Sequence, residues 1–253
     1  MPHTTPDENT PARAPLPPMP AYYADSEAKR RFTGRMFDSS APDYDRVDRL
    51  LALGSGSRYR RQALLRAGLA RGMRMLDVAV GTGLVAREAI GVVGDRGCVI
   101  GVDPSAGMVA HSEARGLALA RGRAEMLPFA PQSFDFLCMG YALRHLTDLQ
   151  VAFQEFRRVL RPGGRLLLLE ITRPEGRVAS ALLKAYLRGV VPALAGLVSR
   201  SKDTATLYRY YWDTIESCVP PERIMDTMSA AGFSGVGRTV ALGIFSEYTA
   251  RAG

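Results

Sequence analysis

The sequence predicts an α/β fold in which a doubly wound, mostly parallel sheet carries helices on both faces. From about residue 73 onward, short apolar runs alternate with amphipathic stretches, as in parallel sheets covered by helices. The first apolar run leads directly into a glycine turn and then a helix, which is how a strand ends at a ligand-binding edge. The last two runs are divided at Gly243 and predict an antiparallel hairpin that closes the sheet.

Six strands follow from the apolar runs, which are short and bounded by polar or glycine-containing turns. In chain order the predicted strands are 73–78, 99–102, 134–141, 166–171, 236–241 and 244–250. The helices predicted between them are 84–93, 106–120, 149–159 and 221–230, with a longer helical insertion at 179–211.

The N-terminal region divides into a tail and a set of helices. Proline recurs through residues 1–24 with few apolar side chains, so this tail is expected to be disordered, and one folded domain follows at 25–253. Helices are predicted from Ser26, from Tyr44 after a polar turn at 39–43, and from Arg58. Together with the insertion, they predict two helical lid parts, 25–68 and 175–215.

Composition indicates one cytoplasmic domain without a metal centre. Hydrophobic residues make up 47% of the 253 residues, enough for one substantial core. Cys98, Cys138 and Cys218 lack metal-ligand spacing and are expected to be reduced packing residues, and no secretory signal is visible. The net charge of +8 comes mainly from dispersed arginines, so no nucleic-acid partner is expected.

The strongest chemical signal is the segment from Asp77 to Gly83, which follows the first strand. Gly81 and Gly83 allow a backbone to approach a ligand closely, because glycine has no side chain and tolerates positive φ. About 20 residues later the second strand ends in Asp103, where a doubly wound sheet would place a carboxylate against ribose hydroxyls. The two features together predict a nucleoside site, against the simpler interpretation of a tight turn and a solvated aspartate.

A dinucleotide-dependent dehydrogenase is the first rival interpretation. Its fingerprint requires Gly-x-Gly-x-x-Gly, and Ala86 could stand here at the third glycine position. Spacing alone therefore leaves this rival open.

Segments along most of the chain carry a resemblance to a known family, namely 36–37, 44–45, 76–77, 81–83, 124–125, 127–129, 133–135, 143–144, 158–160, 162–166, 169–170, 208–210 and 231–233. On these segments the chain resembles class I S-adenosylmethionine-dependent methyltransferases over roughly residues 30–250, and most of all the ubiquinone and menaquinone biosynthesis C-methyltransferases. The resemblance implies a Rossmann-like, seven-stranded class I methyltransferase fold and S-adenosyl-L-methionine as the cofactor.

The resemblance also implies a role for individual residues. The loop 81–83 would cradle the methionine moiety, Asp103 would hold the ribose, and Tyr44 would close over the cofactor, although Tyr44 could instead only pack in the lid. The cofactor-binding residues implied in this way are Tyr44, Asp77, Gly81, Thr82, Gly83, Asp103, Pro104, Arg123, Ala124 and Gly140.

Arg144 and His145 are the candidate catalytic residues. A cation that stabilises a phenolate would activate the neighbouring ring carbon of a hydroquinone, which suits Arg144, and His145 could act as an acid or base near neutral pH. The alternatives are a surface ion pair between Arg144 and Asp148 and a purely structural His145.

The chain departs from the family pattern near the expected acceptor. Asparagine usually stands where this chain has His145, and aspartate or asparagine where it has Arg123. The family's signature after Tyr44 continues with Met-Asn and ends in His and Trp, whereas this chain reads Val47-Asp48 and then Ser57, Arg58 and Arg61. These departures put the identity of the acceptor in doubt and leave the methyltransferase expectation intact.

Three function classes remain open. The favoured one is a methyltransferase for a small, lipophilic aromatic or quinol acceptor. The second is a methyltransferase for another metabolite such as a polyketide, sterol or amine, and the third is a non-catalytic nucleoside-binding protein. The apolar, basic-flanked stretch 179–198 leaves a peripheral contact with the inner face of the membrane open, and a homodimer is also left open.

Overall fold

The computed structural model describes residues 14–51, 55–113, 116–191, 193 and 203–253. Its centre is a seven-stranded sheet, which confirms the predicted doubly wound fold. The strands are β1 (Met75–Val78), β2 (Val99–Asp103), β3 (Ala118–Arg121), β4 (Phe134–Gly140), β5 (Leu160–Ile171), β6 (Phe233–Ala241) and β7 (Phe245–Ala252).

The strand order is β3-β2-β1-β4-β5-β7-β6, and β7 runs antiparallel to both of its neighbours. β1 pairs in parallel with β2 on one side and with β4 on the other, so the winding direction reverses at β1. Doubly wound sheets bind ligands outside the carboxyl ends of their strands at such a switch point. The loops after β1, β2 and β4 therefore meet at the expected binding edge.

Helices cover both faces of the sheet and one of its edges. They are α1 (Ser26–Leu51), α2 (Gly56–Arg66), α3 (Leu84–Val93), α4 (Ala106–Glu113), α5 (Leu149–Val159), α6 (Arg177–Ala185), α7 (Asp203–Ser217) and α8 (Pro221–Ala230). Short 3-10 helices lie at Arg96–Cys98 and Leu143–His145, and a π-helix at Tyr186–Val190 continues α6.

Alternate side chains of the central strands pack on opposite faces of the sheet, as the two-residue period of a strand requires. In β4, Leu137 and Met139 belong to the core shared with α5 and α8, whereas Phe136 and Cys138 belong to the core shared with α2 and α3. From Phe136 to Met139 both faces of the strand are buried, which explains why this part of its sequence is a continuous apolar run.

The polar turn predicted at residues 39–43 is wrong, because α1 continues through it from Ser26 to Leu51. The hydroxyls of Ser39 and Ser40 donate hydrogen bonds to carbonyl oxygens three residues earlier, at 3.1 and 3.2 Å. These bonds satisfy inside the helix the polar groups that the local pattern assigns to a turn.

The helix predicted at 106–120 is also wrong in its second half. α4 ends at Glu113, and Ala118–Arg121 form β3, which pairs in parallel with β2. This strand has only four residues, none of them fully buried, so it lacks an apolar run that would distinguish it from a helix end. Its pairing with β2 is a tertiary contact.

Residues 14–24 depart from the disordered tail predicted for residues 1–24. They pack on α1 and α7 beside Trp212 through buried apolar side chains, namely Leu16, Met19 and Tyr23. The hydroxyl of Tyr22 also donates a hydrogen bond of 2.5 Å to the carboxylate of Asp213. Residues 1–13 of the predicted tail and 194–202 of the predicted insertion lie outside the described residues.

Candidate active site

The loop after β1 turns sharply at the binding edge. Ala79, Gly81 and Gly83 all have positive φ, at 55°, 55° and 82°. Gly83 is also the N-cap of α3, and a Cβ at this position would lie 2.4 Å from Leu117. The positive φ therefore favours glycine there, and a larger residue would also displace the Leu117 side chain. The loop ends at a helix N-terminus, which favours negative charge.

Asp103, the last residue of β2, joins the loops that follow β1 and β2. One carboxylate oxygen accepts a hydrogen bond from the N–H of Gly81 at 2.9 Å, and the other accepts one from the N–H of Ser105 at 2.8 Å. Burial raises the pKa of Asp103, and the two backbone N–H groups oppose that rise because they stabilise the carboxylate. The carboxylate thus shapes the glycine turn as well as facing the cavity.

Carboxylates on α1 attach this helix to the same two loops. Asp45 accepts a hydrogen bond from the hydroxyl of Thr82 and pairs with Arg87 at 3.1 Å. Two helical turns earlier on α1, Asp38 accepts hydrogen bonds from the hydroxyl of Ser105 at 2.5 Å and from the N–H of Gly107 at 2.9 Å. α1 is therefore held over the binding edge by polar bonds to the loops it covers.

A cavity of about 300 Å³ lies between α1 and the sheet edge, at the small end of the range for ligand pockets. It brings together ten of the twelve predicted site residues: Tyr44, Asp77, Gly81, Thr82, Asp103, Pro104, Arg123, Ala124, Gly140 and His145. Gly83 and Arg144 are not part of its wall. The loops after three strands thus converge as the sequence predicts.

Asp77 has one carboxylate oxygen committed to the protein and one without a partner. The first accepts a hydrogen bond from the N–H of Ala86, and Oδ2 is buried with no hydrogen-bond partner. Burial, with a smaller contribution from the charge of Asp103, raises the pKa of Asp77 to about 8. An oxygen of this kind suits a cationic hydrogen-bond donor, such as an ammonium group.

Aromatic side chains also line the cavity, and we call the part of its wall beside the end of β4 the aromatic end. The hydroxyls of Tyr44 on α1 and Tyr211 on α7 are 2.9 Å apart and bridge the two helices. Tyr141, directly after Gly140, also lines the cavity and has an unusual positive φ of 61°. This end of the cavity suits a flat, apolar ligand with polar substituents.

His145 lies in the same aromatic end. Its ring stacks on Tyr210 with centroids 5.7 Å apart and meets Phe37 edge-on at 5.2 Å. Both ring nitrogens are buried without a hydrogen-bond partner. Burial, followed by the positive charges of Arg144 and Lys29, lowers the pKa of His145 well below its usual value, so the ring is neutral near pH 7.

Arg144 lies behind the cavity wall and has partners of its own. Its guanidinium forms an ion pair with Glu170 at the end of β5, and both side chains are fully buried. It also donates a hydrogen bond of 3.3 Å to Thr214 and lies 5.5 Å from the ring centre of Tyr211. Because Arg144 is not part of the cavity wall, the position of its side chain does not support the predicted phenolate contact. The alternative, a surface ion pair with Asp148, is not supported either, because Arg144 is buried and Asp148 caps α5 by accepting a hydrogen bond from the N–H of Val151.

Sequence reasoning did not assign four charged residues that line the cavity, namely Arg30, Asp48, Arg60 and Glu125, and two of them, Asp48 on α1 and Arg60 on α2, are paired with each other. They form an ion pair of 2.5 Å, and the Arg60 side chain is 6% exposed. Neither residue belongs to the strand ends from which the binding loop is recognised. The available signal was the cluster of arginines at the start of the predicted third helix, and that cluster alone does not show which member points inward.

Comparisons with known proteins agree with this geometry. The model of the ubiE/COQ5 methyltransferase family matches residues 25–250. The chain belongs to this family. It is 37% identical to a ubiquinone/menaquinone biosynthesis C-methyltransferase UbiE from Syntrophotalea carbinolica, over 81% of this chain and 86% of that protein. It is 31% identical to a demethylmenaquinone methyltransferase from Mycolicibacterium paratuberculosis, over 84% of this chain and 90% of that protein.

The fold is shared with solved methyltransferases. A SAM-dependent methyltransferase from Thermotoga maritima superposes with a TM-score of 0.59 at 22% identity, over 87% of this chain and 99% of that chain. The protein is therefore an S-adenosylmethionine-dependent methyltransferase with a class I fold, as the sequence predicts. The dehydrogenase interpretation is excluded by family membership.

We expect the raised pKa of Asp77 to make the stability of the cofactor-free protein depend on pH. Between the ordinary pKa of an aspartate and about 8, Asp77 ionises in the unfolded chain but keeps its proton when folded. The free energy of unfolding should therefore fall as pH rises through this range, by less in Asp77→Asn than in the wild type. Urea unfolding from pH 5 to pH 8 measures the difference, and identical pH dependence in both proteins would show that Asp77 is ionised in the folded state.

Proposed function

We propose that this methyltransferase transfers a methyl group to a ring carbon of a lipophilic quinol. The observation that carries the proposal is the aromatic end of the cavity, where Tyr44, Tyr141, Tyr211 and His145 surround the space next to Gly140. The relatives named above act in ubiquinone and menaquinone biosynthesis or on demethylmenaquinone. A flat ring with two oxygen substituents matches both the aromatic walls and the polar groups among them.

The residues at the switch point suit S-adenosylmethionine in size and charge. We assign to Asp103 the hydrogen bonds from the ribose hydroxyls and to the loop around Gly81 the contact with the methionine moiety, because both line the cavity at the switch point. The free oxygen of Asp77 suits the ammonium group of that moiety. When bound, the cofactor supplies an electrophilic methyl group on a sulfonium ion. The protein then needs to align the acceptor and exclude water, rather than provide a nucleophile of its own.

On the acceptor, the ring carbon gains the methyl group and loses its proton, and S-adenosylhomocysteine is the second product. Neutral His145 offers a hydrogen-bond donor at one ring nitrogen and an acceptor at the other, both without protein partners. We assign to His145 a hydrogen bond that orients an acceptor oxygen. Asparagine, the residue usual in the family at this position, has the same two capacities.

Replacing His145 should therefore slow turnover without weakening cofactor binding. We expect His145→Ala to lower kcat roughly tenfold, equivalent to about 1.4 kcal/mol for a lost orienting hydrogen bond, and His145→Asn to restore most of it. Titration calorimetry with S-adenosylhomocysteine should give the same affinity for all three proteins. A fully active His145→Ala, or a His145→Asn that is no better than alanine, would remove this role.

The acceptor class is tested with matched substrates. We expect a prenylated 1,4-naphthoquinol to be methylated with a higher kcat/KM than the same ring without its tail, because the tail adds apolar binding energy. Mass spectrometry of the labelled product locates the methyl group on carbon or oxygen. Equal rates on both rings, or methyl transfer only to oxygen or to an amine, would favour the alternative of a methyltransferase for another metabolite.

A lipophilic acceptor raises the question of how the enzyme reaches it. Within the described residues, no helix has the length and hydropathy of a membrane span. α6, however, exposes Val178 (75%) and Leu182 (66%) one helical turn apart, with exposed Arg173 and Arg177 nearby. Apolar side chains beside arginines on an exposed helix are typical of contact with an anionic membrane surface, and we propose this contact for α6.

Binding to vesicles should depend on these two apolar side chains. The wild type should sediment with anionic phospholipid vesicles at low salt and less so at high salt, because added ions screen the arginines. Val178→Ser/Leu182→Ser should sediment less, whereas Val151→Ser on α5, which removes a side chain that is 41% exposed, should behave as the wild type. Equal sedimentation of all three proteins, or none at low salt, would contradict a membrane contact through α6.

A further inference from the structure

Arg60 is a buried cation at the wall of the cofactor cavity. It lies on α2, exposes 5% of its surface, and lines the same cavity as Asp77 and Gly81. One of its terminal nitrogens pairs with Asp48, at 2.5 Å. Its Nε is buried and has no hydrogen-bond partner. Leaving a buried N–H donor without a hydrogen-bond acceptor costs free energy of folding. Because Arg60 lines the cavity, its unpaired N–H indicates a ligand that accepts a hydrogen bond from it.

The unpaired atom of Arg60 has a counterpart of opposite charge. Asp77 contributes a buried, unpartnered carboxylate oxygen to the same cavity, and the positive charge of Arg60 makes a small contribution against the rise in the pKa of Asp77. A free acceptor and a free donor in one cavity match the ammonium and carboxylate groups of an α-amino acid. The methionine moiety of the cofactor carries both of these groups.

The other arginines that line the cavity are less suited to this carboxylate. Arg123 follows β3 near Asp103, and its guanidinium lies 3.4 Å from the carboxylate of Glu125 and 3.4 Å from the hydroxyl of Thr147. Arg30 is an exposed residue of α1, so a hydrogen bond from it would compete with water. Among the described cavity residues, Arg60 combines burial, positive charge and a free donor.

We propose that Arg60 binds the carboxylate of the methionine moiety, while Asp77 binds its ammonium group. The inference rests on the cofactor and is independent of the proposed acceptor. It gives α2 a direct part in cofactor binding, in addition to the loops after the strands. Arg60 also ties α1 to the ligand, since Asp48 of α1 holds the same guanidinium.

Three ligands with two, one and no charged groups on the amino-acid side test the proposal by titration calorimetry on the full chain. They are S-adenosylhomocysteine, its decarboxylated analogue, which keeps the ammonium group, and 5′-methylthioadenosine, which lacks both groups. Arg60→Met should weaken binding of S-adenosylhomocysteine roughly tenfold to a hundredfold, the usual loss for a charged hydrogen bond. Its affinity for the other two ligands should stay unchanged, so that the preference for the carboxylate disappears.

Matched variants separate this role from a structural one. Asp77→Asn should weaken both ligands that carry the ammonium group, and Asp103→Asn should weaken all three, because all three contain the ribose. Arg61→Met changes the neighbouring arginine, which is exposed and not part of the cavity wall, and should bind all three ligands as the wild type does. Asp48→Asn keeps Arg60 and should keep the preference for the carboxylate.

If Arg60→Met does not fold, the double variant Asp48→Asn/Arg60→Met replaces it, because removing both charges of this ion pair leaves neither one without its partner. It should also lose the preference for the carboxylate. A folded protein without Arg60 that still prefers S-adenosylhomocysteine to its decarboxylated analogue to the wild-type extent would overturn the proposal. Equal weakening of all three ligands would overturn it too, since Arg60 would then only hold the lid.

Discussion

The carboxylate of Asp103 is the contact on which the site depends. Its two oxygens hold the N–H of Gly81 after β1 and the N–H of Ser105 after β2, so one buried side chain fixes two of the loops that meet at the switch point. A buried carboxylate needs such donors, because its desolvation without them would cost far more than the roughly 2–7 kcal/mol of an unpaired neutral polar group. The same bonds set the positive-φ turn that brings backbone atoms close to the cofactor space.

Ion pairs around this centre join one element to another. Asp45 of α1 pairs with Arg87 of α3, Asp48 of α1 with Arg60 of α2, and Arg144 with Glu170 of β5. For the fully buried pair of Arg144 and Glu170, removing one member typically costs about 3–5 kcal/mol, because the other charge is left buried alone. These pairs therefore fix how α1, α2 and the end of the sheet are arranged, and the cavity exists only in that arrangement.

The aromatic end adds a second layer to this framework. Arg144 lies against the ring of Tyr211, whose hydroxyl meets that of Tyr44, so a charge behind the wall helps to position the aromatic side chains that line the cavity. Tyr210 and Trp212, which flank Tyr211 on α7, pack into the apolar cluster that also contains Leu16 and Met19. The segment before α1 thus contributes to the stability of the lid.

The sequence by itself determined the features that depend on local patterns of residues. The buried central strands are mostly apolar, and the loop 79–83 is followed by Asp103 about 20 residues later. Parallel strands bring these two segments to the same edge of the sheet. Tertiary structure alone decided the rest. Strand β3 exists because β2 offers it hydrogen bonds, residues 14–24 are ordered because α1 and α7 offer them an apolar surface, and Arg144 lies behind the wall because Glu170 holds it there. Arg60 could not be assigned from the sequence because a charged residue on a helix is expected to be exposed. Only the fold shows which side of that helix is buried.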